Sequence, residues 1–311
     1  MLGIRINKHK CYLSRTSDEV DQYPSLSELE KIQRIINDPT IQCLNYEISI
    51  QGDLVGLYYI LQNKQLTKLV LISENEENLI TDHAKLVDLI NTNSIENLNI
   101  NDLDLNDNYD FVCQLIATNC KIKTLYCGNY HNSLIAALSQ NQTLTCLKFS
   151  ILECYPIIGW CPISTTNDFI QVISQSQIRR LVIYYYSCTG YSFSKIHHTI
   201  LSLLQIRLIS LQINYPRFIR TNKSKEIMNA LASNYTLTSF FIGRFSDQKS
   251  HIAPECADIC DSILDRNRTG WTPNNHYIFT AGKQQKFCEA YLLLRDNFPN
   301  ELSFLILNLI S

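Results

Sequence analysis

The segment Thr143-Leu144-Thr145-Cys146-Leu147-Lys148-Phe149 decides how this chain folds. Its frame is L-x-x-L-x-F, with a spacing of i, i+3, i+5 between the apolar positions. The frame returns along the chain at intervals of about 22–34 residues, which indicates a structural repeat rather than a local motif. The other copies occupy residues 41–46, 66–71, 95–100, 122–127, 178–183, 208–213 and 237–242.

The frame has a direct structural meaning. Its last two apolar residues face the same side of a short strand, and the residue between them faces the other side. Segments with apolar residues at helical spacing, such as 82–90, run between the frames. One strand and one helix cannot bury their own apolar faces, so neighbouring units must stack and share a core. The pattern predicts an α/β solenoid, with a curved parallel sheet on the concave side and helices outside.

The repeat length and the I-L-x-x-N-R ending at 263–268 resemble the ribonuclease-inhibitor subtype of leucine-rich repeats. This resemblance covers residues 40–268 and implies a repeat solenoid at 41–268, closed by an N-terminal cap at 1–40 and a C-terminal helical cap at 269–311. The chain is also rich in Asn and Tyr and has no secretory signal. In that respect it is similar to repeat effectors that intracellular bacteria secrete through type IV systems.

Composition narrows the function classes. The net charge of −2 argues against nucleic acid as the partner, because such binding rests on many phosphate contacts. The first ten residues are too polar for a signal peptide, and no apolar run is long enough to span a membrane. The 12 cysteines form no CxxC pair, which favours reduced thiols in the cytosol. We expect a soluble, monomeric cytosolic protein without cofactor, or one passed by type IV secretion into a host cytosol.

Charge is distributed unevenly along the chain. Residues 74–110 carry ten acids against one Lys, whereas residues 169–225 contain no acid and eight Lys or Arg. Such a distribution can steer and orient a charged partner. Ordinary solvation of exposed faces explains it equally well.

Outward strand positions and the long loops after the strands form the candidate partner-binding surface. Tyr, Trp and Arg recur there, and these residue types dominate the energetics of protein interfaces. The strand positions further include Lys68, Asn97, Asn99, Tyr126 and Val182. The candidate partner-binding residues are Lys148, Tyr155, Trp160, Arg180, Tyr184, Tyr186, Gln212, Tyr215, Arg217, Phe218, Arg220, Phe241 and Arg244.

Catalytic and metal motifs are poorly matched. The acidic run at 102–110 lacks the Gly and the terminal Glu of an EF-hand loop, so capping of the next helix explains it better. His251, Cys256 and Cys260 lack a second Cys pair, which disfavours zinc. No phosphate loop, nucleophile elbow or zincin motif occurs. The sequence therefore predicts no metal site and no catalytic residues.

The function that the sequence favours is a non-catalytic scaffold that binds a folded host or bacterial protein and restrains or inhibits it. One alternative comes from residues 298–307, whose F-P-N-E-L…I-L pattern resembles the opening of an F-box. That resemblance implies an adaptor for ubiquitin ligation. A second alternative is an enzyme with an unrecognised site.

Overall fold

The architecture comes from a computed structural model. It describes residues 2–7, 10–15, 26–48, 57, 61, 65–73, 83–102, 109–152, 166–186, 193–215, 219–244 and 249–269. The chain divides into two compact units. Unit 1 comprises residues 1–178 and 182–189, and unit 2 comprises residues 179–181 and 190–311.

Unit 1 begins with an antiparallel hairpin and continues as a parallel sheet. Its strands follow each other in chain order, so each strand pairs with the next. They are β1 (Leu2–Asn7), β2 (Lys10–Arg15), β3 (Cys43–Ile48), β4 (Lys68–Ser73), β5 (Asn97–Asp102), β6 (Thr124–Asn129) and β7 (Cys146–Leu152). Strand β8 (Arg180–Tyr186) contributes residues 182–186 to this unit.

Unit 2 contains the first two residues of β8 and three further strands. Strands β9 (Ser210–Asn214) and β10 (Ser239–Arg244) are parallel, and the two-residue β11 (Lys249–Ser250) pairs antiparallel with β10. The helices of unit 1 are α1 (Leu26–Asn37), α2 (His83–Thr92), α3 (Tyr109–Thr118), α4 (Ser133–Gln140) and α5 (Thr166–Gln175). Those of unit 2 are α6 (Phe193–Leu203), α7 (Thr221–Ala232) and α8 (Pro254–Thr269).

The predicted alternation of parallel strands with helices is confirmed within the described residues, and the period-2 pattern of each frame is its cause. In β6 and β7 the frame residues Leu125, Cys127, Leu147 and Phe149 are buried, whereas the intervening Tyr126 and Lys148 are half-buried. The N-terminal hairpin was not predicted. The C-terminal helical cap and the F-box-like segment lie outside the described residues.

Backbone hydrogen bonds repeat with the frame. At the start of β4, the amides of Thr67 and Lys68 both donate to the carbonyl of Gln42, at 3.0 and 3.1 Å. The amides of Glu96 and Asn97 donate to Thr67 in the same way, and Thr238 and Ser239 of unit 2 donate to Ile209. At the start of β4, β5, β6, β7, β9 and β10, two successive amides thus donate to one carbonyl of the preceding turn.

Buried asparagines fasten successive turns to each other. The side-chain amide of Asn141 donates to the carbonyls of Ile116 and Asn119, at 2.6 and 3.3 Å. Its Oδ1 accepts from the amides of Thr143 and Leu144, at 3.0 and 2.7 Å. The buried Asn141 side chain thus donates two hydrogen bonds to the preceding turn and accepts two from its own turn. Because buried polar groups are costly unless paired, such a network also fixes the spacing of the turns.

The same arrangement recurs in unit 2. Asn234 donates to Leu204 at 2.7 Å and accepts from the amides of Thr236 and Leu237, at 2.9 and 2.8 Å. Asn267 donates to the carbonyls of Asn234 and Leu237, at 2.9 and 2.7 Å. Three N-x-T sequences, the type that N-glycosylation requires, begin at Asn141, Asn234 and Asn267. These three asparagine side chains are buried in the core of the repeats, so they are not accessible to glycosylation in the folded protein.

Candidate protein-binding face

The outward side of the unit 1 sheet carries one continuous register row. Asn45, Val70, Asn99, Tyr126 and Lys148 pair in that order across β3 to β7. We call these five residues the outer row. All five are half-buried, whereas the frame residues on either side of each are buried. Side chains that stand in register on neighbouring strands pack laterally, which explains why none is fully exposed.

Two tyrosines of this face form a stacked pair. The rings of Tyr126 on β6 and Tyr184 on β8 lie 5.3 Å apart between centroids, with an interplanar angle of 14°. Strand β7 lies between β6 and β8, so the two rings reach towards each other across the strand that carries Lys148. Both tyrosine side chains are half-buried. Sequence reasoning placed both residues on this face, but nothing in their spacing signals that they touch.

The carboxyl ends of β5 to β7 are tightly packed. Asn99 Oδ1 accepts from the amide of Asn101 at 3.0 Å, and the Ser150 hydroxyl donates to Asn101 Oδ1 at 3.5 Å. A Cβ at Gly128 would lie 3.1 Å from the carbonyl oxygen of Asn101, so the close approach of β6 to β5 favours glycine at this position. These polar contacts hold the Asn99 side chain of the outer row and the neighbouring strand ends in place.

The amino ends of β5 to β7 border a shallow depression of about 460 Å³ that contains the exposed Cys120. The two lysines that line this depression already make polar contacts within the protein. Lys121 Nζ donates to the carbonyls of Asn91 and Asn93, at 3.3 and 2.9 Å, and Lys123 Nζ lies 2.7 Å from Glu96 Oε1. The depression therefore serves the contacts between turns and offers little to an anionic ligand.

Unit 2 presents its own outward residues. Gln212 and Phe241 are register partners on β9 and β10 and are half-buried, while Arg180, Arg220 and Arg244 are exposed. Arg244 stands in register with Lys249 of β11. Among the described candidate residues, unit 2 thus carries three exposed arginines and one half-buried phenylalanine ring.

Two sequence expectations on these strands are wrong. Tyr215 was assigned to an edge loop, but it is 3% exposed and its amide donates to the Gly243 carbonyl at 2.9 Å. The ladder thus extends one residue beyond β9, and Tyr215 continues the inward alternation of Leu211 and Ile213. Val182 was expected outside and is buried. Among the remaining candidates, Tyr155, Trp160, Arg217 and Phe218 lie outside the described residues, and only the backbone of Tyr186 is described.

The helical layer of unit 2 contains a buried histidine. His197 Nε2 on α6 lies 3.4 Å from Glu226 Oε2 on α7, and Lys223 Nζ lies 2.9 Å from Glu226 Oε1. Burial and the positive charge of Lys223 lower the pKa of His197 from its ordinary value, and they outweigh the attraction of Glu226. The adjacent His198 acts in the same direction as Lys223.

This histidine makes stability depend on pH. The pKa of His197 in the folded chain lies below its ordinary value of 6.5, so the unfolded chain binds more protons there between the two values. We expect the free energy of unfolding to fall as the pH drops through about 6.5 and to level off below the folded pKa. His197→Gln should remove this part of the profile in urea unfolding followed between pH 5 and 8. The lowered pKa of Glu226 acts at more acidic pH and should leave this window unchanged. An unaltered profile in the variant would contradict the assignment.

The described cysteines differ sharply in environment. Burial raises the pKa of the Cys127 and Cys260 thiols to about 12, whereas Cys120 is exposed. Only the thiolate reacts with alkylating reagents, and at pH 8 a thiol of that pKa is ionised in about one molecule in ten thousand. We expect iodoacetamide to label Cys120 long before Cys127 and Cys260, as measured by peptide mass spectrometry. Labelling in urea, where all three should react alike, is the control.

These features define an α/β protein of repeated parallel strand–helix units with a polar and aromatic outward sheet face. No protein-family model matches the chain, and no curated protein is significantly similar to it. Within the described residues, no group of three His, Cys, Asp or Glu side chains could hold a metal ion. None of the described helices is both long enough and apolar enough to cross a membrane.

Proposed function

We propose that this chain is a leucine-rich-repeat solenoid that binds a folded protein partner through the outward face of its sheet, without catalysis. The observation that carries the proposal is the Tyr126–Tyr184 stack beside Lys148. Aromatic rings held by neighbours lose little conformational freedom on binding, and residues of this kind dominate interface energetics. The half-buried rings and the lysine together offer apolar area and one cation to a partner.

The surrounding row makes this face rigid and selective. Asn45 and Asn99 supply amide groups that can exchange hydrogen bonds with a partner's polar atoms. The parallel ladder on both sides fixes their positions, which favours a preformed surface over one that orders on binding. Arg180, Arg244 and Phe241 support a separate contribution from unit 2.

The partner we propose is a host or bacterial protein whose activity is blocked by occupation of its surface. This part of the proposal rests on the compositional similarity to secreted repeat effectors. The adaptor and enzyme alternatives remain predictions from the sequence, since no described contact favours either.

The test is comparative affinity capture from a host lysate and from the source organism. Wild-type protein, a Tyr126→Ala/Tyr184→Ala variant and a Lys85→Ala/Asp88→Ala variant are used as baits. Lys85 and Asp88 are exposed on α2, in the helical layer, and so provide a matched control. We expect one abundant protein to be captured by the wild type and the control and to be lost with the tyrosine variant. Equal capture by all three baits would rule out this face, and recovery of a ubiquitin-ligase subunit would favour the adaptor.

A further inference from the structure

We propose that two copies of this chain pair through β1, which adds a strand of the second copy to the open edge of the unit 1 sheet. β1 pairs with β2 on one side, and no described strand pairs with its other side. An open edge presents unpaired amides and carbonyls and is a template for strand addition. This inference is independent of the proposed function and replaces the expectation of a monomer.

The hairpin register determines which backbone groups face the open side. Asn7 and Lys10 are paired with two residues between them. In such a two-residue hairpin the closing pair exchanges hydrogen bonds, and hydrogen-bonded pairs alternate along an antiparallel ladder. The amides and carbonyls of Gly3, Arg5 and Asn7 are therefore directed to β2. Those of Leu2, Ile4 and Ile6 face the open side, giving three donors and three acceptors.

The sequence of β1 is complementary to itself in one antiparallel register. When the two-fold axis passes through Ile4, Leu2 faces Ile6 of the second copy and Ile4 faces Ile4. All six donors and all six acceptors of the two open edges can then be used in six hydrogen bonds. Gly3 faces Arg5, so no like charges stand opposite each other. An axis through Arg5 would instead oppose two arginines, which is unfavourable.

The register rows of the buried frame residues lead through β2 to apolar residue types in β1. Ile4 stands in register with Leu13, and through it with Tyr46 and Leu71, both of which are buried. Ile6 aligns in the same way with Cys11 and Leu44. A second β1 in the Ile4-centred register would place Ile4 and Leu2 of the second copy at the next positions of these register rows.

The sequence of β1 carries few of the residues that usually protect an edge strand. Natural edges are blunted by shortness, lysine, proline or bulges. The edge strand β11 of unit 2 follows this rule, with two residues of which one is Lys249. β1 has six residues with a regular register to β2, no proline, no lysine and a single arginine. Since one strand pair is a small interface, we expect dissociation constants on the order of 10–100 µM.

The first experiment is sedimentation equilibrium of the full chain from about 1 to 500 µM, which spans the expected range. Wild type and Ile4→Val, which keeps the amide, should dimerise as the concentration rises. Ile4→Pro removes the central outward amide in both copies and should weaken the dimer at least tenfold. Absence of a dimer at the highest concentration, or a dimer that Ile4→Pro leaves intact, would overturn the proposal.

A second pair of variants tests the register without removing backbone groups. Gly3→Glu places a carboxylate opposite Arg5 of the other copy, whereas Gly3→Lys places a like charge there. We expect the dissociation constant to be about threefold to tenfold lower for Gly3→Glu than for Gly3→Lys. Equal values would exclude the Ile4-centred register.

Hydrogen exchange of the wild-type chain gives a readout that does not depend on how any variant folds. Amide protection at Ile4 and Ile6 should increase with protein concentration, while protection at Gly3 and Arg5, which pair with β2, should stay constant. Protection that responds to an added lysate protein but not to concentration would mean that another chain occupies the edge, which refutes self-association.

Discussion

Replacing Asn141 with Ala is expected to lower the free energy of unfolding by about 2–4 kcal/mol. The variant leaves the amides of Thr143 and Leu144 and the carbonyl of Ile116 without their side-chain partner in a buried environment. Each of these unpaired polar groups carries its own desolvation cost. The methyl group of Ala cannot form hydrogen bonds with the polar groups that line the space left by the Asn side chain. Urea unfolding followed by circular dichroism measures the effect.

The control for this prediction is Gln142→Ala. Gln142 stands next to Asn141 in the chain and also carries an amide, but its side chain is exposed. We expect its substitution to change the free energy of unfolding by no more than about 0.5 kcal/mol. Similar effects of the two substitutions would show that Asn141 does not hold the turns together.

Asn141→Asp separates the geometry of the side chain from its hydrogen bonding. A carboxylate has nearly the same shape as the amide but would face the carbonyl oxygens of Ile116 and Asn119 without a donor. That environment disfavours the charged form, so the pKa of the introduced carboxyl should be raised above its ordinary value. The variant should therefore be strongly destabilised at pH 7 and recover part of its stability as the pH falls. A penalty that is independent of pH would contradict this explanation.

The second large effect concerns partner affinity. Once a partner is captured, Tyr126→Ala/Tyr184→Ala should raise its dissociation constant at least tenfold, because truncation of an aromatic anchor typically costs about 2 kcal/mol or more. Tyr126→Phe/Tyr184→Phe keeps the stacked rings and should retain most of the affinity. Titration calorimetry on the two variants measures the difference.

Two further variants locate the binding surface. Lys85→Ala/Asp88→Ala on α2 should bind like the wild type, since these side chains belong to the helical layer. Arg180→Ala/Arg244→Ala tests unit 2 separately and should show a loss that decreases with added salt, because exposed charges are screened. An unchanged dissociation constant for the tyrosine variant would remove the outer row from the binding site.

The strand and helix pattern could be predicted from the sequence because it is a local property. In the frame at 144–149, the alternation of Leu147, Lys148 and Phe149 specifies an inward and an outward face without any reference to distant residues. The helices follow from the same logic, and the predicted helical segment at 82–90 corresponds to α2 at His83–Thr92. Many copies of one frame strengthen the inference, since each unit needs neighbours to bury its apolar face.

The candidate site could be predicted only in part. Lys148, Gln212 and Phe241 were placed on the outward face by alternation alone, and the structure describes them as half-buried. Alternation also accounts for Tyr215, but only once the length of the ladder beyond β9 is known. Strand length depends on which backbone groups find partners across the sheet, so a sequence read one strand at a time cannot supply it.

Three features were decided by the tertiary structure. Tyr126 and Tyr184 stack across an intervening strand, and the side-chain amide of Asn141 bonds to Ile116 and Asn119 of the preceding turn. The β1–β2 hairpin stands at the end of the described strand order because β2 pairs with the distant β3. The sequence by itself determined the repeating unit and the inward side of the frame residues, since both follow from local periodicity. Which residues meet across strands was left to the assembled sheet, because such contacts depend on the register between segments far apart in the chain.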